Sequence, residues 1–120
     1  MQKTIGQLEA EFTRAMVRFE KDYLGRGRTN ARSYIIDDMI LVRLEGMLTP
    51  AEQKLAENNH RLVKDTRRQL FESSRPFLDK LVQDLFAAEV ISLHTDMSSR
   101  TGERVVVLTL DTNLNKKFSA

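Results

Sequence analysis

Ser92, His94 and Asp96 carry the letters of a hydrolase triad at alternate positions of one short stretch. Alternate positions of a strand project from one face. Neighbours on such a face stand about 6.5–7 Å apart and point in parallel, whereas a nucleophile, base and acid must converge to hydrogen-bond contact. No glycine elbow surrounds Ser92. The alternation therefore reads as a polar strand face, and no catalytic residue is assigned. Metal chemistry has as little to use. His60 and His94 are the only histidines, and there is no cysteine. Even with Asp96 they fall short of the three or four converging ligands that zinc wants. Neither an enzyme, a metal nor a cofactor is expected.

A second constellation is basic. Arg26 and Arg28 flank Gly27 in the stretch Gly25-Arg-Gly-Arg-Thr-Asn, Arg32 follows, and Arg100 lies in a later loop with Gly102. Backbone amides of a glycine loop and guanidinium forks together can hold an anion. The stretch is not a nucleotide phosphate loop, because it follows a predicted helix and lacks the Gly-Lys-Ser/Thr ending. Arg26, Arg28, Arg32 and Arg100 are the candidate contacts for an anion or acidic partner, provided both loops lie at one end of a sheet. A nucleic-acid or small-anion regulatory protein is the alternative function that these arginines suggest. Nucleic acid itself is disfavoured, because the net charge is only +2, from 19 basic and 17 acidic residues. Arg61, Arg68 and Arg75 would form a stripe, but Asp65, Glu72 and Asp79 stand four residues after each and compensate it.

The elements that must position these residues follow from periodicity. Residues 4–24 predict a helix, with Ile5, Leu8, Phe12, Ala15, Met16, Phe19 and Tyr23 on one stripe and Gly25 as its stop. Residues 31–44 predict a hairpin turning at Asp37-Asp38. Thr49-Pro-Ala-Glu is a capping box with proline at the first helical position. The helix it opens runs to about residue 87, with a break near Ser74 ahead of Pro76. Uninterrupted, such a helix would span about 55 Å, too long for one small domain. Residues 90–110 predict a second hairpin. Its second strand carries Val105, Val106, Val107, Leu108 and Leu110, a run suited to a central strand. Residues 111–120 read as a polar, loose tail.

The pattern helix, hairpin, broken helix, hairpin predicts an α+β two-layer sandwich. A four-stranded antiparallel sheet carries helices on one face, in a single domain over residues 1–112 with 113–120 as the tail. At 120 residues the chain can bury roughly 65% of its unfolded surface without staples. It shows no signal-peptide pattern and no apolar run near the roughly 20 residues of a membrane helix, so a cytoplasmic location is expected.

Two stretches together carry a family resemblance. One is Phe19-Glu-Lys-Asp-Tyr-Leu-Gly-Arg-Gly, followed by Ile40-Leu-Val-Arg-Leu-Glu-Gly-Met-Leu-Thr-Pro-Ala-Glu. The other is Val90-Ile-Ser-Leu-His-Thr-Asp, continuing through Thr101-Gly-Glu-Arg to Leu110. Their order and wording resemble the MpsC-like family, long catalogued as a bacterial domain of unknown function, over roughly residues 4–111. The family is named for a component of a sodium-translocating, membrane-potential-generating system linked to bicarbonate accumulation. The resemblance implies a small soluble accessory protein of such a system, peripheral to the membrane through a partner, or a stand-alone relative. It implies a pump-like membrane subunit and a zinc-containing soluble subunit as partners. It implies no catalytic residue. Family members often carry proline where this chain has Arg28, which sets the Gly25–Asn30 turn apart.

Self-association is the remaining expectation. If helices cover one sheet face with Ile40, Val42, Leu44, Val106, Leu108 and Leu110, then Met39, Leu41, Val105 and Val107 lie opposite, with Ile35 beside them. Such a patch exceeds what a monomer usually exposes, so a homodimer is expected. Leu114 and Phe118 of the tail, or a long helix, are the intramolecular alternatives for covering it.

Overall fold

Thr4 opens the first helix, α1 (Ile5–Leu24), by a reciprocal cap. Its hydroxyl accepts from the Gln7 amide at 3.2 Å, and the Gln7 side chain accepts from the Thr4 amide at 2.9 Å. The computed structural model describes residues 3–24, 30–45, 50–98 and 100–118. The Gly25–Asn30 turn up to residue 29 and the Thr49 cap lie outside the described residues. So do the side chains of Tyr23 and His60. The apolar stripe of α1 buries Leu8, Phe12, Met16 and Phe19.

The first hairpin pairs β1 (Asn30–Ile36) with β2 (Met39–Glu45). Its two-residue turn puts Asp37 in the left-handed region, at φ 55°, which an Asp tolerates better than most residues. That turn sets Ile36 opposite Met39 and Ile35 opposite Ile40. The helix α2 (Pro50–Glu72) is bent at Asn59, whose φ of −154° and ψ of 76° leave the helical region. The Asn59 side chain accepts from the Leu62 amide at 3.1 Å, so it caps the second half of α2. The break near Ser74 falls where expected. There α3 (Arg75–Phe86) begins with proline in its first turn, and it ends on Ala87 in the left-handed conformation. The second hairpin is β3 (Val90–Met97) and β4 (Arg104–Leu110).

The fold is α+β. Its four strands form one antiparallel sheet in the order β1-β2-β4-β3, so the Val-rich β4 is indeed central. The helix layer lies on one face. Phe12 of α1 meets Phe86 of α3 with ring centroids 6.0 Å apart, and Phe19 stacks on Phe77 at 4.8 Å. Beneath them the sheet contributes Ile40, Val42, Leu44, Val106, Leu108 and Leu110, all buried. By contrast, α2 contributes little to this core among the described residues: Val63 is buried against Met97 of β3, while Leu55, Leu62 and Leu70 stay exposed.

The end of the chain corrects the expectation of a loose tail. Asn113 caps a short helix, α4 (Leu114–Lys117), by accepting from the Lys116 amide at 3.0 Å. Leu114 is fully buried, and Phe118 packs edge-on against Phe86. The Leu114 amide donates to the Asp37 carbonyl at 2.7 Å, tying the tail to the first turn. Two apolar side chains among polar ones suffice to seat it, and they seat it in the helix-side core, away from the opposite sheet face.

Each outer strand has a backbone edge group engaged by a helix side chain. The Ile35 amide of β1 donates to the Glu9 carboxylate of α1 at 2.8 Å, and Thr13 Oγ1 lies 2.7 Å from Ser33 Oγ. On β3 a bulge interrupts the ladder between Val90 and Ser92, and the Val90 carbonyl accepts from Arg75 at 3.0 Å.

Candidate functional site

The alternation of the strands leaves one sheet face outside the helix-side core, where α2 reaches the β3 margin through Lys64 and Asp96. Cross-strand register arranges that face in rows. Ile36, Met39, Thr109 and Ser92 form one row, and Tyr34, Leu41, Val107 and His94 the next. Arg32, Arg43, Val105 and Asp96 form the third. The centre is apolar. Met39, Leu41, Val105 and Val107 are half-buried by one another, and Tyr34 and Ile36 stand 38% and 44% exposed at the β1 side.

Ile35 is corrected. It is 6% exposed and belongs to the helix-side core, because the turn at Asp37-Asp38 pairs it with Ile40. Tyr34 and Ile36, one position to either side, take the place assigned to it. Counting back from a two-residue turn would have given that parity.

Charge frames the apolar centre. Arg43 forms ion pairs with Glu103 at 2.7 Å and Glu45 at 3.1 Å. The hydrogen bond that Arg43 donates to Glu103, with the charges of Glu103 and Glu45, holds Arg43 above its ordinary value. Arg32 sits directly opposite Arg43, an unfavourable like-charge pair, and no hydrogen bond or ion pair engages it among the described residues. At the far end of that row, Asp96 Oδ1 accepts from the Met97 amide at 2.8 Å and lies 3.3 Å from Lys64 of α2. The Met97 amide, then Lys64, hold the Asp96 carboxyl below the usual carboxylate range.

The residues singled out in the sequence distribute as follows. Ser92, His94 and Asp96 lie in successive rows of the open face along β3, with no hydrogen bond joining them. Arg32 is on β1, and Arg100 is in the turn after β3, at the same end of the sheet but with β2 between their hairpin strands. Arg26 and Arg28 lie outside the described residues. Among the described residues, no three His, Cys, Asp or Glu side chains cluster in a way that could hold a metal. Of the compensating pairs on the long helical stretch, Arg75–Asp79 forms at 2.9 Å, while Arg68 turns to Asp65 at 3.5 Å.

One charged pair was not anticipated. Glu20 of α1 and Arg104 of β4 meet at 2.8 Å beneath the helix layer, each side chain only 2% exposed. The signal was present in two separate patterns. Glu20 continues the series Leu8, Phe12, Met16, and Arg104 heads the inward series Val106, Leu108, Leu110.

A groove of about 640 Å³ runs between α1 and α3, floored by Ala15, Phe19, Phe77 and Leu81. Its rim mixes Arg14 and Arg18 with Glu11 and Asp22, so it selects no one sign of charge. No described helix is long and apolar enough to cross a membrane.

Comparison with known proteins agrees with the resemblance read from the sequence. The chain is 42% identical to the protein named "Uncharacterized protein YbcI" of Bacillus subtilis (strain 168), over 98% of this chain and 97% of that one. No solved structure matches it. The family model described as "Na+-translocating membrane potential-generating system (MpsC)" matches residues 4–112, and the chain belongs to that family.

Proposed function

We propose that this protein is a non-enzymatic accessory component of a sodium-translocating, membrane-potential-generating system, and that it works as a homodimer closed over the open sheet face. The family supports the first part. The observation that carries the second is the apolar centre of Met39, Leu41, Val105 and Val107, flanked by Tyr34 and Ile36, on a face outside the helix-side core. The face spans about 19 Å across four strands and about 23 Å along them. That is about 440 Å² of flat area, before side-chain relief is counted, on a scale with the roughly 800 Å² of accessible surface that each partner buries in a standard interface. The basic residues give less support to a nucleic-acid or anion-binding reading. Arg43 is compensated by Glu45 and Glu103, Arg75 by Asp79, and Arg104 by Glu20.

Size-exclusion chromatography with light scattering tests the dimer. A species of twice 13.8 kDa is expected at tens of micromolar, and a persistent 13.8 kDa species refutes it. Leu41→Lys with Val107→Lys places two ammonium groups per subunit in the interface and should give monomer with an unchanged helix and strand content.

A further inference from the structure

The geometry points to a specific dimer: the two-fold axis runs along the strands, so that Arg32 of each subunit pairs with the partner's Asp96. This inference rests on the homodimer just described and adds its orientation and its charged contact.

A closed pair of identical sheets packed face to face needs a two-fold axis lying in the plane between them. Aligned sheet packing leaves two directions for it, along the strands or across them. The cross-strand register decides what each direction brings together.

With the axis across the strands, each strand lies over its own copy and the rows invert about the middle one. Arg32 then falls on the partner's Ile36, and Arg43 on the partner's Met39. Arg43 meets an apolar partner side chain about either axis, Met39 here and Val105 in the other arrangement, and keeps Glu45 and Glu103. Arg32, which no hydrogen bond or ion pair engages among the described residues, would be pressed onto the partner's Ile36 at a desolvation cost that nothing opposite repays.

With the axis along the strands, β1 lies over the partner's β3, β2 over the partner's β4, and the rows keep their level. Leu41 then meets the partner's Val107, and Tyr34 meets the partner's His94. Arg32 meets the partner's Asp96, twice by symmetry. The third row is built for this. It begins with Arg32, which no hydrogen bond or ion pair engages among the described residues. It ends with Asp96, whose Oδ1 takes Met97 and Lys64, with the Arg68 charge also near, whose Oδ2 has no hydrogen bond or ion pair among the described residues, and whose side chain is 69% exposed. Between them, Arg43 is already neutralised by Glu45 and Glu103. A surface with one charge at one margin and its opposite at the other is self-complementary under this rotation alone. Aligned sheets cross at about 30°, which displaces strands at the margin by about 4 Å, an offset that the long arginine stem takes up. Opposed charge at an interface margin chiefly fixes register and excludes wrong pairings.

The test uses charge reversal and crosslinking on the full chain. Arg32→Asp and Asp96→Arg, each alone, should weaken dimerisation about tenfold or more, measured by sedimentation, and the double variant should recover to within about threefold of wild type. Because Asp96 also holds Lys64 and the Met97 amide, circular dichroism of each variant checks that the fold persists. The chain has no cysteine, so introduced thiols report cleanly. A mixture of Arg32→Cys and Asp96→Cys chains, treated with a short bismaleimide, should give more crosslinked dimer than either chain alone. A dimer that ignores both reversals, shows no recovery in the double variant, or crosslinks equally in the unmixed samples overturns this orientation while leaving the homodimer standing. Wild-type monomer would instead remove the reading on which it rests.

Discussion

Truncating Glu20 to alanine removes a carboxylate that faces the Arg104 guanidinium beneath the helix layer. Both side chains are 2% exposed and 2.8 Å apart, so solvent screens the pair little. The Glu20→Ala chain must bury the guanidinium without the Glu20 charge, and breaking a buried pair in this way costs about 3–5 kcal/mol. Unfolding entropy of about 2.1 cal/mol/K per residue gives this chain about 0.25 kcal/mol/K, so each kcal/mol moves the midpoint by about 4 °C. A fall of about 12–20 °C is therefore expected, a large share of the roughly 5–15 kcal/mol that holds such a domain. The control is replacement of both partners, Glu20→Leu with Arg104→Met. Apolar groups of similar volume then fill the site, and stability should return to within about 1 kcal/mol of wild type or exceed it. Thermal and urea unfolding followed by circular dichroism read both. A shift below about 4 °C for the single variant, or a double variant as unstable as the single, would refute the reasoning.

Two further outcomes follow from burial and charge. Leu114→Ala should lower stability by about 2–5 kcal/mol, because its side chain is fully buried in the main core; an unchanged urea midpoint would return the tail to solvent. Acid should destabilise the fold through Asp96 and Asp111, whose carboxyls are held low by the Met97 and Glu89 amides respectively. A folded value below the unfolded value of about 3.9 gives a contribution fully present above it and lost as pH falls through the folded value. Asp96→Asn with Asp111→Asn should therefore flatten the loss of stability between about pH 5 and 2, and an unaltered slope would count against these bonds.

Periodicity disclosed what depends on one segment at a time. The stripe of α1, the turn at Asp37-Asp38, the break near Ser74 and the central place of β4 are all local patterns, and each is found in the structure. What escaped depends on two segments meeting. Ile35 was put on the wrong face because side-chain parity follows from register, and register follows from the turn length. The tail looked polar by count, yet one leucine and one phenylalanine anchor it once the core of α1, α3 and the sheet exists to receive them. The bend at Asn59 replaces a helical position by a cap in the middle of an otherwise continuous pattern, and the apolar spacing around it gives no warning. On the open face, Met39, Leu41, Val105 and Val107 were legible because Met39–Val42 and Val105–Leu108 are unbroken apolar runs, and alternation sends successive side chains to opposite faces. Their neighbours Tyr34, Arg43 and Asp96 became meaningful only through cross-strand pairing.

The treatment of the two outer strands limits what the protein can build. A bare strand edge accepts another strand, which presents a new edge in turn, so growth through edges is open-ended and ends in filaments. Here the Ile35 amide is taken by Glu9, and the Val90 carbonyl by Arg75 beside a bulge. A sheet face, unlike an edge, is used up when it is covered once. A chain with guarded edges and one open face is therefore suited to finite particles of fixed stoichiometry, even at high local concentration. Glu9→Ala with Arg75→Ala would remove those guards without touching the open face.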